Sequence, residues 1–126
     1  MVLADVQRFK GYTIFICKEC VSELHLLNKN LKCKFLEEMS LVSEAVYLAF
    51  KPDKLNYELL GVGNGIHMHW HIITRKNGDT PTVGPIWRLP KSELNDSKYI
   101  PDINELECMK KLLNDALEQV LNRCEG

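Results

Sequence analysis

The chain has 126 residues, 45% of them hydrophobic, and a formal net charge of -1. This length predicts one domain, residues 1–126, with a core of its own. Acidic and basic residues are mixed along the chain, which argues against partners such as duplex nucleic acid or an anionic membrane. No apolar run approaches the length of a membrane span, and the N-terminus lacks the apolar segment of a signal peptide. We therefore expect a cytoplasmic protein.

The first half of the chain predicts a strand followed by a long helix. Residues 12–17 are β-branched and aromatic, which is typical of a buried strand, and residues 21–27 predict a short strand end and connector. From about Leu31, apolar residues recur at helical spacing with acidic residues between them. This helix should end before Pro52, because proline disfavours the helical conformation of the residue that precedes it.

The second half predicts two further strands, an irregular segment and a final helix. Residues 55–62 predict one strand and residues 66–74 another, and Asn64-Gly65 between them favours a hairpin turn. Residues 75–102 contain glycines and prolines that leave little room for regular structure, and such a stretch in a small domain is often functional. A helix should follow Pro101-Asp102. Its apolar stripe contains Leu106, Met109, Leu113, Ala116, Leu117, Val120 and Leu121.

Three of the four histidines stand at alternate positions within residues 66–74. Side chains along a β-strand alternate between its two faces. His67, His69 and His71 would therefore stand together on one face as a histidine row, while the apolar residues between them would point into a core. A helix would scatter the same three side chains around its circumference, so the alternation favours a strand.

Two kinds of chemistry suit the histidine row. Neutral imidazole is a good nucleophile that forms phosphoramidate intermediates, which favours phosphoryl transfer. Imidazole is also the commonest zinc ligand, and Cys17 and Cys20 form a Cys-x-x-Cys that could supply thiolates. The odd number of cysteines, five, fits reduced thiols better than a disulfide framework. Three histidines without any chemical role are the remaining alternative.

The run from His67 to Ile73 matches the signature His-x-His-x-His followed by apolar residues, and it resembles the histidine-triad (HIT) superfamily. The flanking sequence extends the resemblance over residues 2–90 and is similar to a bacterial branch of diadenosine tetraphosphate hydrolase-like proteins. The matching segments outside the row are Asp5, 8–12, 21–24, 56–61 and 79–87.

The resemblance implies an α+β, HIT-like fold of one domain, in which a mostly antiparallel five-stranded sheet packs against helices. It implies a homodimer that binds a nucleotide or dinucleotide and hydrolyses a dinucleoside polyphosphate, or a related nucleoside phosphate, at its α-phosphate. The reaction would proceed through a covalent nucleotidyl-histidine without a cofactor or metal. The alternatives are an adenosine monophosphate phosphoramidase or nucleotidyl transferase, a non-catalytic nucleotide-binding protein, and a zinc protein that uses His67, His69 and a thiol.

By resemblance, the members of the histidine row have different roles. His69 is the nucleophile, His71 contacts the phosphate or the leaving group, and His67 supports the phosphate site and the hydrogen-bond network. Arg75 and Lys76 follow the row directly, and they either steer an anionic substrate or are solvated charges at the strand end.

The resemblance also implies nucleotide-binding residues outside the row. Asp5 would accept hydrogen bonds from ribose hydroxyls, Phe9 and Tyr12 would wall the base pocket, Asn64 would donate to a phosphate oxygen, and Trp87 would cover the site or a dimer contact. Each has a structural alternative, which is a capped turn for Asp5, turn chemistry for Asn64 and packing for the three aromatic residues.

Overall fold

The chain folds into an antiparallel sheet with long helices packed against one face. The structure, a computed structural model, describes residues 1–62 and 65–125. The strands are β1 (Val2–Leu3), β2 (Thr13–Ile16), β3 (Lys54–Glu58) and β4 (His69–Arg75). The helices are α1 (Lys29–Phe50), the short α2 (Lys91–Leu94) and α3 (Ile103–Glu125), and single 3-10 turns lie at Leu24–Leu26, Ile86–Arg88 and Ser97–Tyr99. The predicted α+β class is confirmed.

The sheet has the order β1-β2-β4-β3, and each pair of neighbours is antiparallel. Within the described residues it contains four strands, so the expectation of five strands is wrong. Residues 21–27, which were expected to include a strand end, form bends and a 3-10 turn instead. Residues 75–102 add no strand either, because Pro81, Pro85 and Pro90 have no N–H to donate to a neighbouring strand.

The hairpin formed by β3 and β4 has a longer connection than the sequence predicts. β3 ends at Glu58 rather than at residue 62, and β4 begins at His69 rather than at residue 66. The strands are antiparallel neighbours, which confirms the hairpin, but their last paired residues are Glu58 and His71. The connection is therefore far longer than a two-residue Asn-Gly turn. Gly63 and Asn64 lie outside the described residues.

Helix α1 begins and ends where its sequence favours it. The Asn28 side chain caps the helix by accepting a hydrogen bond of 2.9 Å from the Leu31 N–H. The helix ends at Phe50, and Lys51 adopts a left-handed conformation with φ 50° directly before Pro52. The predicted end of this helix is confirmed.

The main core lies between the helices and the face of the sheet opposite the histidine row. Its buried members are Val42, Ala45, Val46, Leu55, Ile72, Leu113, Ala116 and Val120. The predicted stripe of α3 is buried at Met109, Leu113, Ala116 and Val120, whereas Leu121 is 40% exposed. No helix in the described parts of the chain is long and apolar enough to cross a membrane.

A second apolar cluster lies on the same face of the sheet as the histidine row. It consists of Phe9, Tyr12, Ile73, Ile86 and Leu89. Ile73 is two residues beyond His71 in β4, and residues at this spacing point to the same side of a strand. The cluster therefore brings Tyr12 close to the row.

A buried glutamine shapes the segment that carries Tyr12. The Gln7 amide nitrogen donates to the carbonyls of Ala4 and Tyr12 at 2.8 and 2.9 Å. The Gln7 side-chain oxygen accepts from the Gly11 N–H at 2.8 Å. Gly11 has φ 103°, and a Cβ there would lie 2.6 Å from the Phe50 ring. The turn that brings Tyr12 to the sheet therefore requires glycine.

Candidate active site

The histidine row spans the start of β4 and the residues just before it. His69 and His71 belong to the strand and point to one face, as the alternation predicts. His67 precedes the strand, but its Nδ1 lies 2.8 Å from the Cys17 carbonyl oxygen. The Cys17 N–H donates to the Met68 carbonyl at 2.8 Å, so contact between the two chain segments continues beyond the paired strands. This contact keeps His67 beside the sheet.

Backbone carbonyls determine which nitrogen is protonated in two of the histidines. Nδ1 of His67 faces the Cys17 carbonyl oxygen, and Nδ1 of His69 lies 3.0 Å from the His67 carbonyl oxygen. A carbonyl oxygen only accepts, so both Nδ1 atoms carry the proton when the rings are neutral. Nε2 of each ring then keeps its lone pair, which is the form in which imidazole attacks an electrophile.

His71 differs from the other two because its Nδ1 meets a hydroxyl group. The Tyr12 hydroxyl oxygen lies 2.5 Å from this nitrogen. Burial raises the pKa of Tyr12 to about 12, with a smaller contribution from the charge of Glu58, so the hydroxyl stays protonated at neutral pH. A phenol both donates and accepts, and His71 can therefore hold its proton on either nitrogen.

Opposing effects set the charge of His71. Burial lowers the pKa of His71 below 6.5, and positive charge on His69, whose ring centroid is 4.8 Å away, lowers it further. The negative charge of Glu58 acts in the opposite sense. The net shift of the pKa is downward, so the neutral imidazole predominates at pH 7.

Glu58 and Trp87 complete the surroundings of His71. Glu58 in β3 is paired with His71 in β4, and both side chains point to the same face. The Trp87 indole N–H donates to the Glu58 carboxylate, and the indole ring lies edge-on to His71 at 5.7 Å between centroids. Glu58 is not among the site residues predicted from the sequence, although the alternation of polar Lys54, Asn56 and Glu58 along one strand was a signal for a polar face.

The structure is similar to those of histidine triad proteins. With one from Marinobacter aquaeolei it shares 26% identity at a TM-score of 0.72, over 94% of this chain and 81% of that one. One from Bradyrhizobium japonicum shares 24% identity at a TM-score of 0.70, over 89% of this chain and 81% of that one. A hypothetical histidine triad nucleotide-binding protein from Sulfolobus tokodaii shares 21% identity at a TM-score of 0.67, over 94% and 76%. The chain has the histidine-triad fold.

These structures confirm the HIT-like fold that the sequence analysis expected, and they support the HIT superfamily. Their names do not single out the diadenosine tetraphosphate hydrolase-like branch. No protein-family model and no curated protein matches this chain.

In this histidine-triad fold, Arg75 holds a loop in place. Its guanidinium donates from Nε and Nη2 to the Asp79 carboxylate at 2.8 and 2.9 Å. Its Nη1 donates to the Asn56 side chain at 3.0 Å and to the Gly84 carbonyl at 2.7 Å. The Arg75 and Asp79 side chains are only 12% and 17% exposed. Arg75 is thus neither a solvated strand-end charge nor a freely available cation, while Lys76 is exposed.

The other predicted nucleotide-binding residues lie in different surroundings. The Phe9 ring is 6% exposed and packs in the second apolar cluster, which favours a packing role. Asp5 is exposed and lines a cavity of about 710 Å³ beside Pro101 and α3, and the residues that line this cavity do not include the histidine row. Asn64 lies outside the described residues. The structure thus brings Tyr12 and Trp87 into contact with His71.

The two cysteines of the Cys-x-x-Cys motif differ in their exposure to solvent. Cys17 is buried and its carbonyl accepts the His67 hydrogen bond, whereas Cys20 is exposed. Among the residues that the structure describes, no group of three or more histidine, cysteine, aspartate or glutamate side chains is arranged to hold a metal ion.

Proposed function

We propose that the chain is a histidine-triad nucleotide hydrolase that cleaves a dinucleoside polyphosphate or a related nucleoside phosphate at its α-phosphate. The observation that carries this proposal is the hydrogen bond from Nδ1 of His69 to the His67 carbonyl oxygen, at 3.0 Å. In the neutral ring it leaves Nε2 of His69 without a proton, with its lone pair available to attack phosphorus.

The proposed reaction has two displacements. In the first, Nε2 of His69 attacks the α-phosphorus, a P–N bond forms, and the bond to the leaving phosphate breaks with its electron pair going to the leaving oxygen. In the second, water adds to the same phosphorus and the P–N bond breaks with its electron pair returning to Nε2 of His69. The water proton passes to Nε2 of His71, and a nucleoside monophosphate is released.

The neighbours of His69 support both steps. His71 is a base for the second step because Tyr12 can accept a hydrogen bond from its Nδ1, which leaves Nε2 free. Nδ1 of His67 is hydrogen-bonded to the Cys17 carbonyl oxygen, and this contact positions the His67 carbonyl that accepts from His69. No metal or cofactor takes part in these steps.

The resemblance carries further parts of the proposal. We expect a single histidine-triad domain over residues 1–126, a homodimer and a cytoplasmic location. The position of Trp87 beside His71 supports a role as a wall of the nucleotide site. Roles for Asp5, Phe9 and Asn64 in nucleotide binding stay predictions.

The test is turnover of a panel of dinucleoside polyphosphates and nucleoside phosphoramidates by the wild-type protein and by His69→Ala. We expect His69→Ala to keep nucleotide binding and to lose turnover by at least roughly a thousandfold, because the covalent nucleophile is gone. Mass spectrometry of acid-quenched wild-type protein should detect a nucleotidyl adduct on His69. His25→Ala, at an exposed histidine, is the matched control. Unchanged hydrolysis by His69→Ala would refute the proposal.

A further inference from the structure

Glu58 places a negative charge beside a site that we propose for a polyanionic substrate. It is paired with His71 across β3 and β4, and paired side chains on one face of a sheet have Cβ atoms about 4.5–5.5 Å apart. Like charges repel, so this carboxylate weakens substrate binding rather than strengthening it. A contribution of Glu58 to the reaction must therefore arise after binding.

Glu58 also has a defined contact with the second neighbour of His71. Its carboxylate accepts a hydrogen bond from the Trp87 indole N–H, and the indole edge faces the His71 ring at an interplanar angle of 82°. Trp87 is 44% exposed and lies in a 3-10 turn. The Glu58 carboxylate thus positions Trp87 by a hydrogen bond, and its negative charge interacts with the His71 ring.

We propose, on the basis of the proposed function, that Glu58 is a positioning residue that acts through His71 and Trp87. Its charge stabilises the imidazolium that forms when His71 takes up a proton, and its hydrogen bond holds the indole against the same ring.

Of the charged and titratable groups described around His71, Glu58 is the one that can stabilise a positive charge on its ring. His69 faces it from the same strand and opposes a positive charge on it. Tyr12 faces it from the segment before β2 and stays a neutral phenol. Arg75 lies on the same face of β4, but its guanidinium is paired with Asp79. Trp87 contributes an uncharged ring.

The step that should depend on Glu58 is hydrolysis of the nucleotidyl-His69 intermediate. Water forms the new P–O bond, the P–N bond breaks with its electron pair returning to Nε2 of His69, and a proton of the water passes to Nε2 of His71. Positive charge on His71 appears only as this proton arrives. Removal of the Glu58 charge should therefore lower kcat while KM stays constant or falls, because repulsion of the substrate is relieved.

The test uses Glu58→Gln, which keeps the shape and the hydrogen-bond acceptor but removes the charge. NMR titration of the His71 ring should show a pKa lowered by roughly half to one unit, given a charge at this distance in a partly solvated site. We expect kcat to fall by about three- to tenfold and nucleotidyl-His69 to accumulate in acid-quenched samples. Glu58→Asp, which keeps the charge, should bring the pKa of His71 and kcat part of the way back to their wild-type values. Glu118→Gln, at an exposed residue of α3, is the matched control.

Trp87→Phe separates the hydrogen bond from the charge. It keeps an aromatic ring but removes the indole N–H, so it should lower kcat by a smaller factor and leave the His71 titration close to that of the wild type. Glu58→Gln with the same His71 titration and the same kcat as Glu118→Gln would overturn the inference. A wild-type protein without turnover would overturn the proposed function instead, and the titration would still decide whether Glu58 acts on His71.

Discussion

The hydroxyl oxygen of Tyr12 lies 2.5 Å from Nδ1 of His71, although the two residues are 59 positions apart in the chain. The Tyr12 ring is buried in the second apolar cluster, so packing holds the hydroxyl in place. Because the pKa of Tyr12 is raised to about 12, the group is a phenol throughout the neutral range. It can therefore donate a hydrogen bond to Nδ1 of His71 when that nitrogen has no proton, and accept one when it is protonated.

Removal of this hydroxyl should slow turnover without unfolding the protein. Tyr12→Phe keeps the packed ring and leaves the half-buried Nδ1 of His71 without its partner, so we expect a stability loss of about 1 kcal/mol and a kcat lowered by roughly fivefold. Urea denaturation and steady-state kinetics measure the two effects. Tyr47→Phe, at a tyrosine of α1 that is 51% exposed, is the matched control. Equal kcat and equal stability in the two variants would contradict a role for the Tyr12 hydroxyl.

The lowered pKa of His71 should make stability depend on pH. As the pH falls below 6.5, the unfolded chain takes up a proton at His71 before the folded protein does, so the free energy of unfolding decreases until the folded protein is protonated as well. Urea denaturation from about pH 7 to about pH 5 should show a steeper loss for the wild type than for His71→Asn. His25→Asn, at an exposed histidine, should keep the wild-type slope. Parallel curves for the wild type and His71→Asn would refute this prediction.

Gly11→Ala should destabilise the protein and disturb the site. The new Cβ would lie 2.6 Å from the Phe50 ring, and the residue would have to keep a positive φ, so we expect a loss of about 2–4 kcal/mol. Turnover should fall as well, since this turn positions Tyr12. Gly61→Ala is the matched control, because a Cβ there meets no atom within 4 Å, and its effect should stay within about 0.5 kcal/mol. Thermal and urea denaturation measure the stabilities of the two variants. Similar stabilities of Gly11→Ala and Gly61→Ala would show that the turn at Gly11 tolerates a side chain.

Local patterns predicted much of the fold. The helical spacing before Pro52 predicted α1, and the stripe after Pro101 predicted α3, because burial of one face imposes a period on the sequence. The alternation of the histidines predicted a strand with all three side chains on one face. His69 and His71 lie in β4 as predicted, whereas His67 precedes the strand. The predicted number of strands, which came from the resemblance, was wrong, and residues 21–27 form bends and a 3-10 turn.

The contacts that define the candidate site were much harder to predict. Glu58 was overlooked because its relation to His71 depends on the register of β3 against β4, and no local pattern specifies a register across a long connection. Phe9 was considered for the base pocket, yet its ring is buried with Ile73 and contacts the Arg75 guanidinium. An aromatic side chain has the same local pattern in a core and in a pocket.

The sequence by itself determined that three imidazoles alternate along one stretch of chain, because the period of a strand is a property of the local backbone. Only the tertiary structure decided what each imidazole meets. The Cys17 carbonyl, the Tyr12 hydroxyl and the Glu58 carboxylate reach the histidine row through strand pairing and packing. The first determines the tautomer of the neutral His67 ring, the other two surround His71, and all three depend on distances in space that spacing along the chain does not contain.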